Sequence, residues 1–474
     1  MKKCWLMLPI LTTIAPMMKL RTLLLLLLLC GGSFAQTAPR NIVVFLSDDH
    51  GQLDSEPYGA TDVRTPNMAQ LARDGMKFTH AFIASPACAP SRTAMLTGRM
   101  PARTGAEANH TYKPADMKSL PDVFNALGYQ TAAFGKVAHG PDKFRHEFEI
   151  LDKTDDIAVV RKFLQERNDP RPLLLFVGTN RPHVPWSEPQ GYNPAQLKLP
   201  PSHVDTPMTR EMRARYYTDV TKADTMLGQV RALAREKFGD NVLFIYSSDH
   251  GAQWPFGKWN LYDAGIRVPF IAVWPGVIKP GSVSGAMVQW IDLLPTLIEV
   301  AGGKVPDGLD GRSFAAVLRG RAKEFRREIF TTHSGDGAMN VYPIRSLRTR
   351  EWKYILNLNP ELAHTTHIDK AKAVDGVNYF TSWYERGQTD AQAAAVVKRY
   401  YERPKEELYD LRNDPFEQRN LAAEPKQAKR LAQMRRQLEA WMQSQNDSRK
   451  VFNKPRPLSD PAATRPAPLD APKQ

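Results

Sequence analysis

The residues able to do chemistry come in short clusters. Asp48-Asp49-His50-Gly51 follows the apolar run Asn41–Ser47, and Asp249-His250-Gly251 follows Val242–Ser247. Carboxylates brought together repel unless a cation neutralises them, and a hard divalent ion such as Ca2+, which takes about 6–8 oxygen ligands, suits three of them. A third apolar run, Tyr129–Phe134, leads into Gly135-Lys136-Val137-Ala138-His139, and a fourth, Leu173–Val177, leads into Arg181-Pro182-His183-Val184-Pro185. Lys258 follows Asp249 in the stretch Phe256–Tyr262. Ammonium and imidazole groups beside a metal make a site for a divalent oxyanion, with histidines that move protons near neutral pH. Any one cluster is equally at home in an ordinary loop. Their recurrence after successive apolar runs points to one shared site.

Cys88 stands in Ser85–Arg99, SPACAPSRTAMLTGR, and the only other cysteines are Cys4 and Cys30. Thr93–Thr97 reads as helix and Pro90 suits an early helical position. The spacing therefore puts Cys88 at a helix N-terminus, where free N–H groups create positive potential. A small thiol packed in a core and a thiolate nucleophile are the other readings of the same residue.

The elements that must position these groups are apolar strands alternating with amphipathic helices. Asn41–Ser47, Tyr129–Phe134, Leu173–Val177, Val242–Ser247 and Val268–Trp274 read as buried strands. Asn67–Asp74, Leu120–Leu127, Ile157–Arg167, Arg210–Lys237 and Ile291–Ala301 read as helices. That alternation predicts an α/β fold, a mostly parallel sheet sandwiched by helices. In such a sheet the C-terminal strand ends share one edge, where ligands bind. The expected catalytic domain covers 36–340. From 341 to 450 the texture changes to a smaller α+β subdomain: Ser346–Leu356 and Glu407–Arg412 read as strands and Pro425–Gln443 as a basic helix. The Pro- and Ala-rich stretch 451–474 is expected to be a disordered tail.

Met18–Gln36 has a basic start, a leucine run and the small-x-small end Ser33-Phe34-Ala35, the pattern of a cleaved leader over residues 1–35. The run is too short for a comfortable membrane span, and Leu29 before Cys30 argues against a lipid anchor there. The expectation is export to the periplasm or medium of a bacterium. Removal of the leader leaves Cys88 as the only cysteine, so no disulfide forms within the chain. The formal charge of +14 stays strongly positive without the leader. An exported basic protein suits an acidic partner: a sulfated or carboxylated glycan, an anionic surface or nucleic acid.

Cys88-Ala89-Pro90-Ser91-Arg92, followed by Leu96-Thr97-Gly98-Arg99, resembles the signature of the type I sulfatases. Asp48-Asp49, Gly135-Lys136 with His139, the Arg181–Pro185 run, Asp249-His250-Gly251 and Lys258 match that family's other motifs in order, and the likeness extends from Asn41 to Asn420. The resemblance implies an alkaline-phosphatase-like fold and a sulfatase acting on a sulfated glycan rather than on nucleic acid. It implies that a maturation enzyme oxidises Cys88 to formylglycine, whose hydrate is the nucleophile. It also implies one Ca2+ on Asp48, Asp49, residue 88, Asp249 and His250. Lys136, Lys258 and His183 would then bind sulfate and assist the leaving group, Arg92 would hold the nucleophile and its carboxylates, and His139 would accept a proton. Asp-His at Asp249-His250, and the spacing from Lys136 to His139, are similar to iduronate-2-sulfatase-like members.

Tyr342-Pro343-Ile344-Arg345-Ser346 and Lys353–Pro360 (KYILNLNP) resemble the heparan N-sulfatase (sulfamidase) branch. That likeness implies N-sulfoglucosamine of heparin or heparan sulfate as substrate, with His333, Tyr342 and Arg345 reaching it. The alternatives are an O-sulfatase on another glycosaminoglycan or algal polysaccharide, and a non-catalytic glycan-binding protein on the same fold. A phosphatase of the related fold would use Ser or Thr where Cys88 stands.

Overall fold

The computed structural model describes Met1 and residues 41–371 and 376–467. The expected leader lies outside the described residues. Twelve strands form two sheets among those residues. The large sheet is built from β1 (Asn41–Ser47), β2 (Met76–Phe82), β3 (Gln130–Gly135), β4 (Ile150–Asp152), β5 (Leu173–Gly178), β6 (Val242–Ser248), β7 (Phe270–Val273) and β8 (Ser282–Gln289), in the order β4-β3-β5-β1-β6-β7-β2-β8. Only β7 runs antiparallel to its neighbours. β1 pairs in parallel with β5 on one side and β6 on the other.

Every residue of β1 is buried, as expected of a central parallel strand covered on both faces. Ile42, Val44 and Leu46 join one apolar core and Val43 and Phe45 the other, the two-residue alternation of a pleated strand. The helices Pro66–Asp74, Ile157–Glu166 and Pro207–Phe238 cover the second face, and Leu293–Val300 helps cover the first.

Register then lines up the functional ends. Ser47 pairs with Ser248, and Gly135 with Gly178, so Asp48, Asp249, Lys136 and the loop carrying His183 leave the sheet at one edge. The ends of β3 and β5 touch so closely that a Cβ on Gly178 would lie 2.1 Å from the Lys136 carbonyl oxygen. Only glycine fits that approach. β2 runs in the same direction and delivers the helix Cys88–Thr97 to the same edge.

The small sheet holds β9 (Ile329–His333), β10 (Ile344–Arg348), β11 (Trp352–Asn357) and β12 (Glu406–Asp410), all antiparallel in the order β12-β11-β10-β9. Leu431, Met434, Leu438 and Met442 of the helix Ala428–Ser444 pack on it. It starts at Ile329, ahead of the boundary expected at 341. The expected strand Ser346–Leu356 is instead a hairpin turning at Thr349–Glu351. A buried charge cluster ties this sheet to the loop after Lys258: Asp263 receives Arg348 at 2.9 Å and Lys353 at 2.6 Å, and Lys353 also reaches Glu417 at 2.7 Å.

Two expectations are corrected here. Residues 451–467 are not a free tail. The Leu458 N–H donates to the Glu361 carbonyl at 2.9 Å, the Ala467 N–H to that of Asp369 at 3.0 Å, and Ala463 is buried. Lacking side-chain periodicity, the segment is held largely through its backbone, with Arg456 Nη1 also donating to the Ala338 carbonyl at 2.7 Å. Arg345, expected at the substrate, is buried in an ion pair with Asp447, its Nη2 donating at 2.9 Å. Both side chains are about 1% exposed. Removing one partner of a buried pair leaves an uncompensated charge, so Asp447→Ala is expected to cost about 3–5 kcal/mol of unfolding free energy in urea titrations, with KM unchanged. A raised KM at unchanged stability would return Arg345 to the substrate.

Candidate active site

Asp48 ends β1 and is fully buried. Arg92 Nη2 donates to its Oδ1 at 2.9 Å and Lys136 Nζ pairs with its Oδ2. Burial opposes ionisation of Asp48, but Lys136 and Arg92 outweigh it and hold the carboxyl well below its usual range. Asp49 takes a left-handed backbone, φ 64°, rare for a residue with a Cβ. Its N–H donates to Asp249 Oδ1 at 3.0 Å, and Lys258 donates to its Oδ2 at 2.8 Å. Arg92 Nε also reaches Asp249 Oδ2 at 3.0 Å. Arg92 therefore bridges two carboxylates from two strands, and its remaining Nη1 donates to the Lys136 carbonyl.

Cys88 opens its helix behind an extended Ala87. Asn109 accepts the Ala89 N–H at 3.0 Å, and Ser91 Oγ donates to the Asp249 carbonyl at 2.6 Å, which fixes the helix start against the acid cluster. Cys88 Sγ lies 3.4 Å from His250 Nε2, 3.7 Å from Lys136 Nζ and 3.9 Å from Asp48 Oδ1. Burial pushes the thiol up, yet the Lys136 and Lys258 ammonium groups bring it down to about 6. The setting favours an anion or an oxygen-rich group at this position.

His250 Nδ1 lies 3.0 Å from the Gly251 carbonyl. A carbonyl only accepts, so the proton sits on Nδ1 and neutral His250 points the Nε2 lone pair into the cluster. Nε2 is 3.3 Å from Asp49 Oδ1 and 3.6 Å from Asp249 Oδ2. Asp49 Oδ1 is buried with no hydrogen-bond donor among the described residues. Ligand atoms of Asp49, Cys88, Asp249 and His250 lie within 4.8 Å of one another, as do those of Asp48, Asp49 and His183. The site fits a metal ion: Asp49 Oδ1, which has no donor of its own among the described residues, converges with the His250 Nε2 lone pair and Asp249 Oδ2. Burial lowers His250, but Asp249 and Asp49 bring it up to about 9, and burial raises Asp249 to about 7 against the pull of Arg92.

His183 Nδ1 faces the Val184 carbonyl at 2.6 Å and its Nε2 is 3.9 Å from Asp49 Oδ2. Its side chain is 30% exposed, at the mouth of the site. Burial and then Lys258 lower its pKa. His139 is half-buried, and burial and Lys136 bring it down to about 3. Ten sequence-predicted residues, Asp48, Asp49, Cys88, Arg92, Lys136, His139, His183, Asp249, His250 and Lys258, are thus assembled at one edge. His50 is not among the cluster's ligands; it bonds to Tyr246 Oη at 2.6 Å behind it.

The three residues expected at the substrate are not on the site's surface. His333 is buried and bonded to Asn340 Oδ1 at 2.7 Å, Tyr342 is buried edge-on to His364, and Arg345 is paired as above. Each lies on or beside β9 and β10 and is buried. The group found at the rim instead is His110, half-exposed, with buried Asp336 behind it at 3.4 Å. Asn109-His110 lies outside any periodic pattern and Asp336 follows a strand too polar to stand out, so neither carried a sequence signal.

The sequence profile of the Sulfatase family matches residues 40–303, more than half of the chain. The chain belongs to the sulfatase family. A second profile, N-sulphoglucosamine sulphohydrolase, C-terminal, matches residues 250–373. The sulfatase is 35% identical over 425 residues to an ulvan-active sulfatase of Formosa agariphila, covering 86% of this chain and 80% of the relative. It is 29% identical over 487 residues to the human N-sulphoglucosamine sulphohydrolase, covering 90% and 93%. Its fold matches, at a TM-score of 0.67 and 17% identity over 86% of this chain and 99% of the other, a protein solved in complex with its substrate D-glucosamine-2-N,6-O-disulfate.

A metal that binds only the folded sulfatase raises its stability by mass action, about 2.7 kcal/mol at 100 times Kd. Thermal melts with added Ca2+ are expected to shift upward, reversibly with a chelator, and the shift is expected to vanish in Asp49→Asn. An unchanged melting temperature in the wild type would contradict a metal at this cluster.

Proposed function

We propose that this sulfatase removes sulfate from a sulfated glycan, N-sulfoglucosamine of heparin-type saccharides, with residue 88 as formylglycine and one Ca2+ on Asp48, Asp49, Asp249 and His250. The observation that carries the reading is the contact of Cys88, at a helix N-terminus, with His250, Lys136 and Asp48 in one buried cluster. Supporting the substrate is the match of residues 250–373 to the C-terminal part of N-sulphoglucosamine sulphohydrolases.

A Ca2+ held by these residues would supply a Lewis acid for a sulfate oxygen, and a formylglycine hydrate at residue 88 would supply two hydroxyls on one carbon, a nucleophile and a second group able to give up a proton. The chain's own side chains do the rest. Lys136 and Lys258 hold the anionic oxygens, and both stay charged because acids face them. Arg92 bridges Asp48 and Asp249 and, with Lys136, holds Asp48 ionised. His183 Nε2, at the solvent side, serves the leaving group's proton, and His139 takes the proton of the second hydroxyl. Cys88 and Arg92 are almost wholly buried, so a maturation enzyme that reads Cys88–Arg92 must meet the chain before this helix packs. Export through a cleaved leader fits such a partner and an extracellular glycan.

A second reading has one specific observation behind it. The 35% identity to an ulvan-active sulfatase favours an O-sulfated algal polysaccharide. Sulfate release measured side by side on N-sulfoglucosamine, 6-O-sulfoglucosamine and ulvan oligosaccharides separates the two. Release from the N-sulfated sugar is expected; release only from O-sulfated saccharides would remove the N-sulfo assignment. The Cys88 peptide of the active protein is expected to be lighter than the thiol form and to react with hydrazide. Cys88→Ala is expected to lose at least about 10³-fold in kcat with the fold intact. A fully active preparation holding only thiol would overturn the nucleophile.

A further inference from the structure

The proton acceptor assigned above, His139, has neighbours that the catalytic motifs do not include. His139 Nε2 lies 3.4 Å from His110 Nδ1, the two rings meeting at 63° with centroids 5.0 Å apart. The other nitrogen of His110, Nε2, lies 3.4 Å from Asp336 Oδ1. Asp336 is itself buried and anchored: Trp259 Nε1 donates to its Oδ2 at 2.7 Å and Asn109 Nδ2 at 3.0 Å. Asn109 is the same residue that accepts the Ala89 N–H at the start of the Cys88 helix. His110 has φ 64°, a left-handed conformation that non-glycine residues seldom adopt and that persists where surroundings impose it. A line of three side chains, His139, His110 and Asp336, is thus pinned to the helix that carries residue 88.

Hydrogen-bond chemistry orders the protons along that line. Asp336 Oδ1 is buried and holds no other donor among the described residues, and a carboxylate only accepts, so His110 Nε2, 3.4 Å away, is the nitrogen placed to carry a proton toward it, although Asn109 Nδ2 also lies 3.4 Å from that nitrogen; neutral His110 then accepts at Nδ1. The donor that faces it is His139 Nε2–H. His139 Nδ1 is left as a lone pair, and it is buried with no partner among the described residues.

We propose that His110 and Asp336 are positioning residues that hold His139 in its Nε2–H tautomer, leaving Nδ1 as the proton-accepting atom of the reaction. The assignment of His139 as acceptor rests on the proposed function. In the step itself the O–H bond of the reacting hydroxyl breaks and an Nδ1–H bond forms, so His139 becomes an imidazolium. The Nε2–H stays in place, and the Asp336 carboxylate stabilises the new charge through His110. Burial opposes that charge most, then Lys136, any charge on His110, and Arg92, while Asp48 favours it. A base in this surrounding needs an acid behind it, and Asp336 is that acid.

The test starts on the unconverted protein, made without its maturation enzyme, where no turnover is needed. Nitrogen NMR of the imidazole rings is expected to show His139 as the Nε2–H tautomer. His110→Ala is expected to convert it to a mixture. In the mature enzyme, Asp336→Asn is expected to lower kcat by about 10²-fold with KM within twofold, and His110→Gln, which keeps an acceptor, to retain more kcat than His110→Ala. An unchanged His139 tautomer in His110→Ala overturns the proposal, and so does a loss confined to KM, which would make these residues substrate contacts. If His110→Ala does not fold, Asp336→Asn and His110→Gln decide by the same two readouts. A wild type inert towards every sulfated sugar would overturn the proposed function, while the tautomer measurement would still decide the positioning.

Discussion

Three carboxylates, Asp48, Asp49 and Asp249, share one fully buried site, and the rest of the molecule is arranged around that fact. Carboxylates so placed repel and resist ionisation. Arg92, Lys136 and Lys258 meet them one for one, each through a direct contact. The three acids are thus matched by three ammonium and guanidinium groups, before His250, residue 88 or any metal is counted. A divalent ion in the acceptor cluster of Asp49, Asp249 and His250 would leave the site with excess positive charge, which an anionic sulfate relieves. Specificity for an anion follows from the count of charges, and the lysines that balance the acids are the groups that would turn to the substrate.

That balance requires positional accuracy that a loop alone does not provide. Asp48 and Asp249 leave adjacent parallel strands in matched register, and Lys136 leaves β3 where the contact of Gly135 with Gly178 fixes the spacing. Arg92 closes the cluster from a helix delivered by β2. The small sheet adds its own buried charges, Asp263, Arg348, Lys353 and Glu417, behind the loop of Lys258. Buried ion groups of this kind contribute little net stability compared with an apolar core, but losing one member is costly. They act here as a register that holds the Lys258 loop against the subdomain.

The large sheet and its catalytic edge were legible in the sequence because parallel strands buried on both faces leave unbroken apolar runs, as in Asn41–Ser47 and Val242–Ser247, each followed by its acids. Strands without such runs were not. β2, Met76–Phe82, is interrupted by Lys77, Thr79 and His80, and β8, Ser282–Gln289, opens with Ser-Val-Ser-Gly. The strand at Ser346–Leu356 hid a hairpin, since the turn residues Thr349-Arg350-Glu351 carry neither Gly nor Pro. At the site, residue type with position after a strand pointed to Asp48, Asp49, Lys136, His139, His183, Asp249 and His250, with Lys258 following Asp249, while Cys88 and Arg92 were carried by the resemblance of Cys88–Arg99 to the sulfatase signature. Neither sufficed for Arg345, whose partner Asp447 lies 102 positions away, or for Asp336 and His110, whose roles depend on contacts that only the fold creates. The Pro- and Ala-rich end misled for a related reason: backbone hydrogen bonds leave no trace in side-chain pattern.

The most direct test of this account is a crystal structure of the mature protein from its own host, with anomalous scattering measured for the metal. The account predicts one ion bound by Asp48, Asp49, Asp249 and His250, with an oxygen-bearing residue 88 beside it and Lys136 and Lys258 turned toward the open side. An intact thiol at residue 88 in active crystals, with the carboxylates still paired one for one with Arg92, Lys136 and Lys258 and no ion between them, would contradict it.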